Sequence, residues 1–504
     1  MKKIICITMM LLYLTGCTNN KMNAIDNQNS SIYYEIFVGS FCDSDNDGIG
    51  DIQGIISKLD YLESLGVKGI WLTPIHPSES YHKYDVLNYM EIDSTFGTIA
   101  DFEQLVSEMK IRNMDLIMDL VINHTSSNHP WFVEAKKNIL NNACDCENDK
   151  CDYYNFYDSK KSNSTKLSNN IYYESVFSDK MPDLNLDNQE VRQEIKDIVS
   201  FWLSKGIQGF RLDAPLHYYG DVEKNNEFLS WLNTTVKEIK GDAFIVGEVW
   251  SDQKTIESHY ESEIDSFFNF PASFTDGKIV TNIRSKNGSA LAKYFEKYNA
   301  SIKSINENAV DSVFLSNHDQ ARSAGFFSAN QEQSKLMVST FLLSPGNVFI
   351  YYGEEIGMLG SGVDPNKRLP MQWDLKDPKG MTNNPIGADY KDSVDTDVNR
   401  QNNDPDSLLN HYRKVAKVRN KYKAISNGSS VFVDFDNSSI YAMKHTLNDE
   451  SILVIHNFSD EKQEIILEEK IKEVNIIDIN LKSTVKNEQI SIQPYSSIVI
   501  SIER

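Results

Sequence analysis

The residues best suited to chemistry are two carboxylates, Asp213 and Glu248, with a third, Asp319, in a comparable setting. They stand in Gly209-Phe-Arg-Leu-Asp-Ala-Pro-Leu-His217, Gly247-Glu-Val-Trp250 and Phe314-Leu-Ser-Asn-His-Asp319. Each segment ends an apolar, strand-like run on a charged residue. That pattern puts all three at strand C-termini, where a parallel α/β barrel keeps its chemistry. Cleavage of a glycosidic bond asks for such a pair, one carboxylate as nucleophile and one carboxylic acid as proton donor. A single segment would carry little weight, because most Asp and Glu are solvated surface charges. Three in order, each with polar companions, carry much more.

A second stretch, Asp43-Ser-Asp-Asn-Asp-Gly-Ile-Gly-Asp51, has the chemistry of a metal loop. Carboxylates at Asp43, Asp45 and Asp47 followed by Gly48 match the opening of a calcium loop. The bidentate Glu of a helix–loop–helix site is missing, since Gly54 stands at the twelfth position. Asp51 could close the shell, with the Ile49 carbonyl as a further ligand. The alternative is an acidic turn that binds nothing; calcium is the stronger reading.

The elements that must position these residues alternate from Ile32 onward. Expected strands are 32–38, 69–74, 115–122, 209–214, 244–249, 266–270, 313–317 and 348–353, short and apolar as buried parallel strands are. Amphipathic stretches at 55–65, 100–112, 189–204 and 332–343 lie between them. Eight strands with interleaved helices predict an α/β fold, a (β/α)8 TIM barrel, over 32–123 and 187–426. About 65 residues rich in Asn, Asp, Ser, Lys and Tyr follow the third strand, too many for a structureless loop. They predict a small inserted domain at 124–186. Residues 427–504 lose the helical period and alternate as strands, which predicts a C-terminal all-β sandwich.

The chain has 504 residues and a formal net charge of −22, spread along its length. Nucleic acid is an unsuitable partner, because phosphate binding needs clustered Lys and Arg. Lys2 and Lys3 precede an apolar stretch at 4–14, and Leu14-Thr-Gly-Cys17 follows. This is an export signal too short for an ordinary transmembrane helix. Leu-Thr-Gly-Cys resembles a bacterial lipobox, which implies removal of residues 1–16, a lipidated Cys17, a tether over 17–31 and anchoring on the outer face of the cell membrane. A plain secretory peptide is the alternative. Cys144, Cys146 and Cys151 cluster in an exported chain, where one local disulfide is favoured over zinc and the connectivity stays open.

The chain resembles the α-amylase family of glycoside hydrolases. The resemblance rests on Gly69-Ile-Trp-Leu-Thr-Pro74, Asp119-Leu-Val-Ile-Asn-His124, Met181-Pro-Asp-Leu-Asn185, the three opening segments and Gly346-Asn-Val-Phe-Ile-Tyr-Tyr-Gly353. It implies Asp213 as nucleophile, Glu248 as general acid/base and Asp319 as the clasp on the sugar's hydroxyls. It implies that Arg211 holds Asp213 ionised, that His124 and His318 bond the sugar, and that Tyr84 is its stacking platform. Asp85 would grip the sugar's outer hydroxyls with Arg368 as partner. A second calcium is implied at Asn123, Asp183 and the His217 carbonyl. Met181-Pro-Asp-Leu-Asn185 resembles a group between oligo-1,6-glucosidases and neopullulanases, whereas Leu216 stands where typical α-amylases carry Lys. The expected activity is retaining hydrolysis of α-1,4-glucosidic bonds in an α-glucan. An exo-acting α-glucosidase or oligo-1,6-glucosidase and a non-catalytic carbohydrate-binding surface protein are the alternatives.

Overall fold

The computed structural model describes residues 31–145, 149–328, 330–390 and 396–503. The export signal, the tether up to residue 30, Cys17 and Cys146 lie outside the described residues.

Eight parallel strands close into a barrel: β1 (Ile32–Ile36), β2 (Gly69–Leu72), β3 (Asp115–Leu120), β4 (Gly209–Leu212), β5 (Phe244–Gly247), β6 (Ser266–Phe268), β7 (Val310–Phe314) and β8 (Asn347–Tyr351). Each pairs with its neighbours in sequence, and β1 pairs with both β2 and β8 to complete the ring. Every residue of β1, β2, β4, β5, β6 and β8 is buried. Burial on both faces explains why these segments read as continuous apolar runs rather than alternating ones. Gly209 opens β4 where a Cβ would meet the Phe244 carbonyl at 1.8 Å, so this close strand approach requires glycine. Compared with the expected strands, β7 begins three residues earlier, at Val310. Asp319 consequently sits on the loop beyond β7, whereas Asp213 and Glu248 directly follow β4 and β5.

The expected helix over 189–204 is present as Gln189–Ser204, with Asn188 accepting from the backbone of Glu190 and Val191. It buries Val191, Ile195, Ile198, Val199 and Trp202, one apolar stripe at helical spacing. The stretch at 55–65 instead forms two helices, Ile52–Ser57 and Leu59–Leu65, which meet at Lys58 (φ −109°, ψ 4°). After β3 come a helix, Pro130–Leu140, and a three-stranded antiparallel sheet in the order Phe156–Tyr157, Ile171–Glu174, Ser164–Ser168. A Cys144–Cys151 disulfide closes the stretch between helix and sheet.

The chain ends in two antiparallel sheets. One has five strands in the order Ser429–Phe432, Ile440–Leu447, Glu450–Asn457, Ser497–Ile502, Ile471–Ile477; the other has three, Gln463–Ile466, Gln489–Ile492, Thr484–Lys486. Ala442, Leu453, Ile455 and Ile500 of the first pack with Ile465, Ile490 and Ile492 of the second, which makes a sandwich.

Arg419, on the helix Leu408–Lys421, is fully buried without a carboxylate partner among the described residues. It donates to the carbonyls of Leu342 (2.8 Å), Ser344 (2.7 Å) and Gly346, where the helix Gln331–Leu342 turns into β8. Burial pulls its pKa down to about 9. Arg419→Met is expected to destabilise the protein by about 2–4 kcal/mol, because buried carbonyls lose their donor. A urea midpoint equal to wild type would mean that these carbonyls find other donors.

Candidate active site

Beyond the C-terminal ends of the barrel strands lies a cleft of about 470 Å³, lined by Tyr84, His124, Asp213, Glu248, Asp319 and Arg368 among others. Phe177 and Trp250, about half exposed, also line it. Trp250 is backed by Phe270, stacked at 5.5 Å.

Behind the cleft stands Arg211, in β4 and wholly buried. Its Nη1 donates to Asp119 Oδ1 (2.6 Å) and Asp213 Oδ1 (2.7 Å). Its Nη2 lies 2.8 Å from Glu248 Oε2, an ion pair without good hydrogen-bond alignment. Three carboxylates thus share one guanidinium. With only one positive charge among them in a poorly hydrated place, a proton is retained most readily by the group that burial penalises most. Burial raises Glu248 to about 8, with Arg211 pulling the other way. Burial likewise raises Asp119, to about 6, against the pull of Arg211. Burial therefore favours the protonated form of Glu248 at neutral pH, the form a proton donor requires. Asp213 is followed by Ala214 in the left-handed region (φ 48°), a costly conformation for a residue with a side chain.

Asp319 is held differently. Burial would raise it, but the His318 imidazolium and Arg368 outweigh burial and keep it well below the usual carboxylate range. Arg368 Nη2 donates to Asp319 Oδ1 at 2.7 Å, and His318 Nε2 lies 3.1 Å from Oδ2. Burial opposes the charge on His318, but Asp319 and Glu35 outweigh it and raise its pKa to about 10. Glu35, in β1, accepts from His318 Nδ1 at 2.6 Å. Tyr84 Oη lies 2.7 Å from His318 Nε2 and donates to Asp119 Oδ2 at 3.1 Å. Trp71 Nε1 donates to the same oxygen at 3.1 Å. One connected network therefore runs from Glu35 through His318 and Tyr84 to Asp119 and Arg211.

Several residues stand elsewhere than expected. Asp85 and Arg368 are not partners: Asp85 Oδ1 accepts from Ser78 Oγ (2.5 Å) and from Ser80 Oγ, and Arg368 goes to Asp319. The serines of the 78–85 turn satisfy Asp85 locally, which leaves the arginine free for the cleft carboxylate. His318 is fully buried and both its ring nitrogens face protein groups, so it stands behind the cleft wall and not on it. His124 does line the cleft, and its Nε2 has no hydrogen-bond partner among the described residues. Asn123 Nδ2 donates to Asp183 Oδ1 (3.2 Å), and burial pushes Asp183 up to about 7. The His217 ring lines the cleft, 5.2 Å from Phe177. Asp119 and Glu35 were not anticipated as site residues. An acidic residue inside an otherwise apolar strand is the signal that would have found them, because such a charge is buried only with a partner.

In the acidic loop, carboxylate oxygens of Asp43, Asp45 and Asp51 lie within 4.8 Å of one another. Asp43 accepts from the backbone of Asp45 (3.1 Å), Asn46 (2.6 Å) and Gly48 (2.8 Å). That curl needs the left-handed conformations of Asn46 (φ 69°) and Gly48 (φ 93°). Asp51 accepts from Ser44 N (2.7 Å), Ser44 Oγ (2.8 Å) and Gly54 N (2.7 Å). No ion pair neutralises these three carboxylates among the described residues, so the donor set fits a hard cation. Asp47 is outside the trio and accepts from Ile49 N at 2.7 Å. The sulfurs of Cys144 and Cys151 are joined to each other and so are not metal ligands.

Comparison with known proteins agrees with this geometry. Residues 35–428 match the family described as "Alpha amylase, catalytic domain", and residues 440–499 match "Alpha-amylase SusG C-terminal domain". The chain is 39% identical to Alpha-amylase 3 of Dictyoglomus thermophilum, over 94% of this chain and 93% of that protein. It is 31% identical to an oligo-1,6-glucosidase of Parageobacillus thermoglucosidasius, over 94% and 98% of the two chains. The solved structure of Eubacterium rectale Amy13B superposes with a TM-score of 0.89 at 37% identity, covering 94% of this chain and 95% of that one. A closed eight-stranded barrel with three acidic residues at its C-terminal mouth, matched to that family over most of its length, makes this chain a member of the α-amylase family of glycoside hydrolases.

Proposed function

We propose that the cleft hydrolyses α-1,4-glucosidic bonds in starch-derived maltodextrins with retention of configuration. The observation that carries this reading is the single guanidinium of Arg211 against both Asp213 and Glu248, with Glu248 protonated by burial. Both carboxyls border that one guanidinium, and a covalent intermediate asks for the two to stand about 5–5.5 Å apart. Asp213 attacks the anomeric carbon while Glu248 gives its proton to the leaving glycosidic oxygen. Glu248, now a carboxylate, takes a proton from water, and that water's oxygen displaces Asp213 from the sugar. Asp319, kept ionised by His318 and Arg368, holds the sugar's hydroxyls through both steps. The hydroxyl of Tyr84 is fixed by Asp119 and His318, which sets its ring beside the bound sugar.

Calcium is the cation that best suits the acidic loop, through the carboxylates of Asp43, Asp45 and Asp51. It would supply charge compensation and hold the loop's turn; no chemical step is assigned to it. Asn123 and Asp183 form a candidate second site, supported by a buried carboxylate with no ion-pair partner among the described residues. Export and anchoring through a lipidated Cys17 remain part of the proposal, supported by the sequence Leu14-Thr-Gly-Cys17. A dual acyl anchor would keep the enzyme on the cell surface near its polymeric substrate.

The relative named oligo-1,6-glucosidase favours a second reading, exo-action on α-1,6 bonds. Product time courses on amylose, maltotriose, isomaltose and pullulan separate the two. The proposed activity gives faster turnover of amylose and maltotriose, and preferential release of glucose from isomaltose would replace it with the second reading.

Asp213→Asn removes the nucleophile and keeps its shape, so kcat should fall at least about 10⁴-fold with the fold intact. Near-normal turnover by the folded variant would overturn the assignment. Glu248 must be protonated to act as acid, so kcat/KM should fall about tenfold per pH unit above its pKa of about 8. A profile flat to pH 10 would mean that another group supplies the proton. Removal of calcium by a chelator should lower the melting temperature, because a ligand bound only to the native state stabilises it by mass action. An unchanged melting curve and no metal in the purified protein would refute the loop reading.

A further inference from the structure

The acidic loop and the cleft are built into one another. Ser40 Oγ donates to the Arg368 carbonyl at 2.7 Å, and the Ser40 carbonyl accepts from Met371 N at 2.8 Å. Trp373 Nε1 donates to the Phe41 carbonyl (2.7 Å), Asp43 N to the Gly380 carbonyl (3.1 Å), and Asn383 N to the Gly48 carbonyl (2.7 Å). Residues 368–383 are thus laced to residues 40–48 along their length. The Asn383 side chain fills the space where a Cβ on Gly48 would stand, at 1.9 Å. Phe37, just before this stretch, lies under the Arg368 guanidinium at 5.5 Å. Ser40 and Arg368 are both buried, so these bonds are not exchanged with water at little cost. At the other end, Arg368 donates from Nη2 to Asp319 and from Nε to the His318 carbonyl (3.0 Å).

We propose that residues 40–48 are the frame that places Arg368 against Asp319, with Ser40 as the positioning residue. Cation binding in the acidic loop and sugar binding in the cleft are then one coupled equilibrium. The coupling rests on the calcium reading of the loop, whereas the role of Ser40 stands on the hydrogen bonds alone. The physical route is short. Closing the loop on a cation fixes the carbonyls of Phe41 and Gly48 and the amide of Asp43. Those groups hold the 368–383 segment, and that segment sets the backbone from which Arg368 reaches Asp319. A sugar gripped by Asp319 favours the same arrangement, so each ligand must raise the other's affinity by the same factor.

The test uses the full-length Glu248→Gln protein, which binds sugar without turning it over. Its calcium affinity is measured by calorimetry with and without saturating maltotriose. Sugar should tighten calcium binding by about fivefold or more; equal affinities would overturn the coupling. In the calcium-saturated protein, Ser40→Ala should weaken maltotriose binding by about five- to tenfold and should add nothing in an Arg368→Ala background. The same loss in both backgrounds would show that Ser40 does not act through Arg368. If no calcium binds at all, the loop reading and the coupling both fall, and the double-mutant cycle still decides the role of Ser40.

Discussion

The cluster of Asp119, Asp213 and Glu248 at the mouth of this barrel depends on one buried positive charge. Arg211 is wholly buried, so its ionisation is sustained by carboxylates, and it in turn limits how many of those carboxylates can be charged together. Asp119 and Asp213 share one of its nitrogens, and Glu248 faces the other. A lone guanidinium cannot compensate three negative charges in such a setting. The excess is resolved on Glu248, which burial leaves protonated. The proposed division of labour between Asp213 and Glu248 thus follows from electrostatic balance and from where each strand ends.

The second charge system is arranged in the opposite sense. Asp319 has two cations of its own, His318 and Arg368, and is driven firmly to the ionised form. Glu35, at the other ring nitrogen, keeps His318 charged. The two systems meet at Tyr84, whose hydroxyl touches both His318 and Asp119. A carboxyl that must give up a proton and one that must never take one are therefore kept apart by a network with no exposed member except at the cleft face. The β4, β5 and β7 strands can hold this arrangement because their buried, continuous runs leave little freedom at the ends where the charges emerge.

Much of this was legible in the sequence because it follows from local pattern. Buried parallel strands read as apolar runs, and a charge at the end of a run marks the active face, which is how Asp213 and Glu248 could be placed. The break in helical period after Asn427 likewise announced the terminal sheets. What was not legible depended on contacts between distant loops. Whether Arg368 would meet Asp85 or Asp319 was decided by Ser78 and Ser80, two small hydroxyls whose orientation no periodicity reveals. The lacing of residues 40–48 to 368–383 runs mostly through backbone groups, which every sequence carries alike. Asp119 and Glu35 could have been found, since an acid within an apolar strand needs a buried partner.

The central claim is that Asp213 attacks carbon while Glu248 handles the proton. The most direct measurement is mass spectrometry of the Glu248→Gln protein treated with α-maltosyl fluoride. Fluoride departs without an acid, so the first step proceeds, and loss of the general base slows release of the sugar. The account predicts one maltosyl group per chain, covalently attached to Asp213 in the peptide map. Attachment to a different residue, or turnover to an inverted product with no adduct, would contradict it.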